Sequence, residues 1–275
     1  MGRKLFCDMN PLFYKIAVRR CIINRHIRNF FSKEDFATVL QAEKLPALVV
    51  AFQSHLIKRA PGVELELQEN KAVNIRLACS KLNGILIRPG QTFSFWKLVG
   101  NTTKRKGYLP GRVIRGNKLV PGLGGGLCNL GNSIHRLVVQ SPLTVTEQHT
   151  HSDALAPDEG PRVPLSAGTS ISYNYMDLRF RNDTDRDVQL CLWCEGETLF
   201  GELRAASQFP ESYEIIEEGH CFRKDGEKYY RVSKIYKKVT DRKTGECLRK
   251  ELVWDNHSEV MFDYSLIPQE QIAAQ

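Results

Sequence analysis

The chain has 275 residues, of which 42% are hydrophobic and 25% are charged, and its formal net charge is +8. This is the composition of a globular protein with room for a substantial core, and it excludes a small disulfide-stabilised domain. A net positive charge favours an anionic partner. However, no zinc-finger spacing or other nucleic-acid-binding motif is present, so we expect no nucleic-acid binding.

Eight cysteines are scattered along the chain rather than clustered. Basic residues interrupt the N-terminal segment, which therefore lacks the apolar stretch of a secretory signal peptide. No segment has the roughly 18 consecutive apolar residues of a membrane span. The sequence predicts a cytoplasmic protein with reduced thiols.

The first predicted element is a basic amphipathic helix over Pro11–Phe31. Such a helix suits either packing against its own domain or a peripheral position on an anionic membrane. Ser32, followed by Glu34 and Asp35, is a helix-start signal. It predicts a second helix that runs to about Lys44.

A third helix is predicted over residues 69–82, and Asn83-Gly84 provides its C-terminal stop. Short strands follow over residues 85–87, 92–95, 112–115 and 118–120. Gly116-Asn117, between the last two strands, indicates a β-hairpin. Behind a run of three glycines, a fourth helix is predicted from Gly126 to about Gln140.

The remaining chain is predicted to be mostly strand, over residues 143–148, 169–174, 178–181 and 188–193, with later turns at 224–227 and 241–246. The whole pattern predicts an α+β fold, in which a helical N-terminal part precedes a β-dominated domain with one central helix after a glycine-rich turn. The predicted domains are a helical region (1–61), a core domain (62–208) and a hairpin-rich C-terminal extension packed on the core (209–275).

The segment PGLGGGLCNLGNSIHRL places Cys128 in the first turn of the predicted central helix. Unpaired amides and the helix dipole lower the pKa of a thiol at this position, which favours a nucleophile. Gly124, Gly125 and Gly126 allow backbone amides to approach the sulfur, as an oxyanion hole requires. A single cysteine is otherwise typical of a small buried hydrophobe, and this interpretation stays open.

A cysteine nucleophile needs a base, and the segment EQHTHSD supplies His149 and His151 on one side of an extended chain. His135 lies about 10 Å along the helix from the cysteine and is too distant. The two histidines and Cys128 would also suit zinc, which is the alternative interpretation.

Asn129, Asn132 and Ser152 stand next to these groups and are the candidate substrate-binding residues. Cys191 and Cys194 form a C-x-x-C pair, but they fall within a predicted strand and no second pair lies at zinc-site spacing. We interpret this pair as structural. No metal or cofactor is expected.

Several segments, in order along the chain, resemble the VanW family, which is named for an accessory protein of glycopeptide-resistance clusters. The resemblance covers residues 62–192. It rests on ENKAVNIRLACSKLNGILIRPGQTFSFWKLVGNTTKRKGY, GNKLVPGLGGGLCNLGNSIH, TVTEQHTHSD and ISYNYMDLRFRNDT. Some secreted members of the family act as cysteine L,D-transpeptidases on peptidoglycan.

The resemblance therefore implies acyl transfer, in which Cys128 attacks a carbonyl of a stem peptide and His149 or His151 is the base. Backbone amides near Gly125, Gly126 and Cys128 would hold the oxyanion. The expected partner is a peptidoglycan stem peptide or a lipid-linked precursor.

Asn129, Gly131 and Gly168 differ from the residues usual in the family at these positions. These differences favour a rival function, in which the chain binds a cell-wall precursor or the membrane surface without catalysis.

Overall fold

The computed structural model describes residues 10–59, 64–115, 118–151, 153–154, 157–158, 162–165 and 168–273. Its helices are α1 (Pro11–Phe31), α2 (Leu65–Leu82), α3 (Phe95–Val99) and α4 (Leu127–Val139). Its strands are β1 (Val39–Leu40), β2 (Ala47–His55), β3 (Ile85–Ile87), β4 (Thr92–Ser94), β5 (Pro110–Arg115), β6 (Lys118–Leu123), β7 (Thr144–Glu147), β8 (Asp153–Ala154), β9 (Arg179–Arg181), β10 (Val188–Glu195), β11 (Thr198–Ala205), β12 (Glu211–Asp225), β13 (Lys228–Asp241) and β14 (Cys247–Val260). The predicted α+β class is confirmed.

Helix α1 has the predicted bounds. Its first turn is capped by the Asn10 side chain, which accepts hydrogen bonds from the amides of Leu12 and Phe13. At its other end, the Ser32 amide donates to the Arg28 carbonyl. Ser32 thus ends a helix instead of starting one.

The predicted second helix, over residues 32–44, is therefore wrong. Ala37 donates its amide to the Thr92 carbonyl, and the Thr92 amide donates to Asp35. A little further along, β1 pairs antiparallel with β3. Pairing with a distant part of the chain overrides the local helix-start signal, which carries only about 1 kcal/mol.

The main sheet has the strand order β1-β3-β10-β11-β2, and its neighbouring strands are antiparallel. Helices α2 and α4 pack on it and bury their apolar residues in one core. Ile75 and Leu82 of α2 and Ile134 and Leu137 of α4 are fully buried there. Burial of such side chains is the main term that stabilises the helices.

A second sheet, of order β4-β9-β7, lies beside this core. Phe93 and Phe180 stack in it, with ring centroids 4.4 Å apart. The strand predicted over residues 92–95 ends at Ser94, whose hydroxyl caps α3 by accepting the Lys97 amide.

The strand predicted over residues 169–174 is wrong. This segment contains only isolated bridges and a turn, and Asn174 has a positive φ of 58°. A left-handed residue breaks the extended conformation that a strand needs.

The hairpin of β5 and β6 is present, with Arg115 opposite Lys118. Its turn, Gly116-Asn117, lies outside the described residues. The C-terminal strands form a long antiparallel sheet of order β12-β13-β14, to which β8 adds in parallel beside β14. This pairing places the segment after His151 next to the C-terminal sheet. The two boundaries between the three predicted domains remain predictions.

Candidate functional site: a basic cleft beside Cys128

The turn before α4 needs glycines because two backbone segments approach each other closely there. A Cβ on Gly125 would lie 2.1 Å from the carbonyl carbon of Gly111, and Gly124 and Gly126 have positive φ of 74° and 96°. Asn74 of α2 fixes the turn by donating to the Gly125 carbonyl at 2.9 Å. The glycines therefore serve the packing of this turn.

The three glycine amides are already used within the structure. Those of Gly124, Gly125 and Gly126 donate to the carbonyls of Leu109, Gly122 and Arg112, at 3.0, 3.0 and 3.2 Å. An oxyanion hole needs amides that point at the reacting oxygen. This geometry gives no support to the oxyanion role predicted for these glycines.

Cys128 lies in the first turn of α4, as predicted, and packs against the main core. Its Sγ donates to the Ile171 carbonyl at 3.5 Å. Burial raises the pKa of the Cys128 thiol, and backbone hydrogen bonds offset only part of this effect. The predicted lowering of the pKa is thus wrong, because desolvation outweighs the backbone hydrogen bonds to the sulfur.

The two candidate histidines have different partners. His149 Nε2 lies 2.9 Å from a carboxylate oxygen of Glu147, which also pairs with Arg25 of α1. His151 lines a cleft, and burial lowers the pKa of its imidazole, which keeps it neutral at pH 7. Within the part of the chain that the structure describes, no hydrogen bond joins Cys128 Sγ to an imidazole.

The zinc interpretation also lacks geometric support. Among the described residues, no group of three His, Cys, Asp or Glu side chains lies close enough to hold a metal ion. His149 is paired with Glu147, and Cys128 donates to a carbonyl instead.

The cleft that His151 lines has a volume of about 590 Å³. One wall consists of the outer side of α4 and of Lys71 from α2, and the opposite wall is formed by β13 and β14, including Arg231 and Trp254. Cavities of this size typically bind small molecules or short peptides. The two walls come from parts of the chain that are distant in sequence, so neither part forms the site alone.

The three predicted substrate-binding residues have different positions. Asn129 lines the cleft. Asn132 also borders it but is buried, and its amide donates to the Leu165 carbonyl and accepts the Thr169 amide. Its side chain therefore holds the neighbouring loop. Ser152 lies outside the described residues.

Two cations of the cleft have no acidic partner among the described residues. Burial, together with the charges of Lys58 and Arg112, lowers the pKa of Lys71 to about 8, and Lys71 donates only to Gln68 at 2.7 Å. Burial also lowers the pKa of Arg136, whose buried Nε has no hydrogen-bond partner. An arginine remains charged at neutral pH even so.

Two other cations of the cleft, Arg162 and Arg231, have acidic partners. Arg162 pairs with Glu217 at 2.6 Å and with Asp158 at 3.2 Å, and Arg231 lies 3.4 Å from Asp158. The cations without an acidic partner in the described part of the chain are therefore Lys71, beside the start of α4, and Arg136, in its last turn.

Sequence reasoning missed Lys71 and Arg136 because nothing local distinguishes them from other basic residues. One signal does exist at Gly126. A Cβ at this position would lie 2.2 Å from the Lys71 Cγ, so the glycine leaves room for the lysine to reach the cleft.

Comparison with known proteins supports the family resemblance that the sequence segments indicated. Residues 70–204 match the family model described as VanW like protein. This chain carries a VanW-like domain. The resemblance predicted from the sequence is thereby confirmed, and the matched range contains the glycine turn, α4 and His151.

The chain is similar to two bacterial proteins. It is 29% identical over 227 residues to the vancomycin B-type resistance protein VanW of Enterococcus faecalis, with 82% of each chain covered. It is 27% identical over 120 residues to the uncharacterized protein YoaR of Bacillus subtilis, with 44% of this chain and 38% of the relative covered. No solved structure matches the chain.

The VanW-like domain supplies one wall of the cleft, whereas β13 and β14 lie beyond residue 204. Trp254 packs against Gly168, where a Cβ would lie 2.8 Å from its ring. The C-terminal strands therefore complete the site.

Proposed function

We propose that the cleft binds the terminal carboxylate of a peptidoglycan stem peptide or of its lipid-linked precursor. The observation that carries this proposal is the pair of cations, Lys71 and Arg136, that line the cleft without an acidic partner among the described residues. Both residues are partly buried. A charge that is partly removed from water and lacks a partner is unfavourable, and an anionic ligand would relieve this.

The ligand class comes from the VanW-like domain and from the name of the Enterococcus faecalis relative, a vancomycin resistance protein. The resemblance implies peptidoglycan stem peptides, which end in a carboxylate. A guanidinium binds a carboxylate in a bidentate manner, and an ammonium adds a point charge. Asn129 adds an amide, and Trp254 adds an apolar surface to the cleft.

Titration calorimetry with a soluble stem peptide tests the proposal. The Arg136→Gln and Lys71→Gln variants should each bind at least about tenfold more weakly, because each loses a charge-assisted hydrogen bond. The same peptide with an amidated C-terminus should bind as weakly to the unaltered protein. Lys243→Gln, in an exposed turn, is the matched control. Equal affinity of all these proteins for the peptide would refute the proposal.

The pKa of Lys71, about 8, adds a pH dependence. Above this pH the amine loses its charge, so affinity for the peptide should fall as the pH rises from 7 to 9. The Lys71→Arg variant remains charged and should bind with little change over this range. Calorimetric titrations of both proteins at pH 7, 8 and 9 would measure the difference.

Acyl transfer by Cys128 is a second candidate function, favoured by the position of this thiol in the first turn of α4, next to the cleft residue Asn129. The Sγ would form a thioester with a carbonyl carbon of the bound peptide, and the C–N bond would break. The terminal amino acid would leave as an amine after taking a proton, and an acceptor amine would then replace the sulfur.

In this scheme the neutral imidazole of His151 would remove the thiol proton. The Sγ donates to Ile171 in the free protein, so substrate binding has to bring the two groups together. The raised pKa has a direct consequence. Alkylation of Cys128, followed by peptide mapping across pH, should show a pKa above that of an unperturbed thiol, which is about 8.5.

An exchange assay separates the two candidates. The protein is incubated with a stem peptide and a labelled D-amino acid, and incorporation is followed by mass spectrometry. Catalysis predicts exchange that Cys128→Ala abolishes while peptide binding persists. Binding without exchange in the unaltered protein would leave the first proposal standing and refute the second.

A further inference from the structure

Helix α1 makes several polar contacts with the rest of the protein. The guanidinium of Arg25 donates to the Glu147 carboxylate at 2.6 Å, and the His26 ring lies 2.9 Å from the Asn174 amide. Asn29 accepts a hydrogen bond from Arg179 at 2.8 Å. Val18 and Ile22 lie on the same face as these residues and are half-buried, so the contact combines polar pairs with a few apolar side chains.

The apolar side of α1 is exposed. Its large apolar side chains have exposed fractions of 61% for Leu12, 46% for Ile16, 58% for Ile23, 50% for Ile27 and 83% for Phe30. At 3.6 residues per turn these positions fall within an arc of roughly 60°, and they extend over about 27 Å along the axis. We refer to these five residues as the apolar stripe.

Exposed basic side chains lie beside the apolar stripe and further round α1. Lys15, Arg19, Arg20 and Arg28 are exposed, and none has an acidic partner within the described ranges. No aspartate or glutamate occurs in Pro11–Phe31. Arg19 and Arg20 lie on either side of the stripe near its middle.

We propose that the apolar stripe of α1 binds in the interface of an anionic lipid bilayer. Apolar residues on one face with arginines and lysines beside them are the pattern of a helix that lies in the plane of a membrane. The basic residues would contact anionic headgroups, and the stripe would enter the boundary with the acyl chains. Of the helices in the described ranges, none has the length and apolar character to cross a bilayer.

A second copy of the chain fits this surface less well. Two α1 helices that pair through their stripes would bring Arg19 and Arg20 of both copies together, with no acidic residue on either helix to compensate. Anionic lipid supplies the missing charge. The polar contacts of Arg25 and Asn29 would keep the helix attached to the protein while its outer face enters the membrane.

Co-sedimentation with lipid vesicles tests this inference on the full chain. The unaltered protein should bind vesicles of phosphatidylglycerol and phosphatidylcholine, and should bind pure phosphatidylcholine at least tenfold more weakly. The Ile23→Ser/Ile27→Ser variant should lose at least tenfold in affinity for the anionic vesicles. Arg19→Gln/Arg20→Gln should also weaken binding, and should reduce its dependence on salt.

The matched control is Leu248→Ser/Leu252→Ser, because these two leucines of β14 are 47% and 53% exposed and lie away from α1. This variant should bind vesicles like the unaltered protein. Circular dichroism of every variant checks that the helix and fold persist.

Two results would overturn the inference. One is the absence of binding to anionic vesicles, or equal binding by the Ile23→Ser/Ile27→Ser variant. The other is that the unaltered protein is a dimer in the absence of lipid, whereas the Ile23→Ser/Ile27→Ser variant is a monomer. That result would assign the stripe to a second copy of the chain.

Discussion

Helices α1 and α4 each have an apolar face, but only that of α4 is fully buried. The apolar residues Leu130, Ile134 and Leu137 of α4 are fully buried in the main core, whereas Ile23 and Ile27 of α1 are half exposed. Hydrophobic burial holds α4, whereas the contacts of α1 include hydrogen bonds and an ion pair beside half-buried apolar side chains. The comparison shows that an amphipathic pattern predicts a helix without specifying which of its faces meets the protein.

The largest expected difference between the helices lies in the cost of removing an isoleucine. Ile134→Ala should lower the free energy of unfolding by about 2–5 kcal/mol, because it leaves a cavity in the core. Ile23→Ala should change it by less than about 0.5 kcal/mol, because this side chain is exposed. Urea unfolding of both variants measures the two values. Similar losses would show that the stripe of α1 is covered by the protein itself.

A smaller effect is expected at the polar attachment of α1. Glu147→Gln removes the ion pair with Arg25. The side chain of Glu147 is 18% exposed and that of Arg25 is 14% exposed. We expect a local loss of about 1–3 kcal/mol, seen as faster hydrogen exchange of residues 11–31 with α4 unchanged. Glu214→Gln, at a largely exposed carboxylate, is the control. Unchanged exchange in α1 would mean that other contacts hold the helix.

Acid should have the same effect as the Glu147 substitution. Hydrogen bonds from Arg25 and His149 keep the pKa of Glu147 below its usual value, even though burial opposes them. The stabilisation is present above the unfolded pKa of about 4.3 and is lost as the pH falls through the lower folded value. Exchange in α1 should therefore accelerate below about pH 4, and Glu147→Gln should remove this acceleration.

The smallest effect is expected at the N-terminal cap of α1. Asn10→Ala removes the acceptor for two amides and should cost about 1 kcal/mol in helix stability. The change should be confined to faster exchange in the first turn. Asn10→Asp keeps the acceptor and should restore protection; if it does not, the cap contributes little.

The glycine turn and the cleft differ in how far the sequence predicts them. The position of Cys128 at the start of α4 followed from the glycine run and the apolar period. The direction of its pKa did not, because residues that bury the thiol come from other parts of the chain, including Ile171. Lys71 and Arg136 were not predicted for the same reason. Their position in one cleft, without an acidic partner among the described residues, arises only when distant parts of the chain fold together.

Local interactions in the sequence determined where several elements begin and end. Capping, glycine stops and turn residues act within a few positions, so α1, α4 and the β5–β6 hairpin appear at the predicted places. The motifs around Cys128 likewise indicated the VanW-like domain. Only the tertiary structure decided the strand at residues 39–40, the exposed face of α1 and the unpaired charge of the cleft. Each of these depends on contacts between residues far apart in the chain, and burial sets their energies.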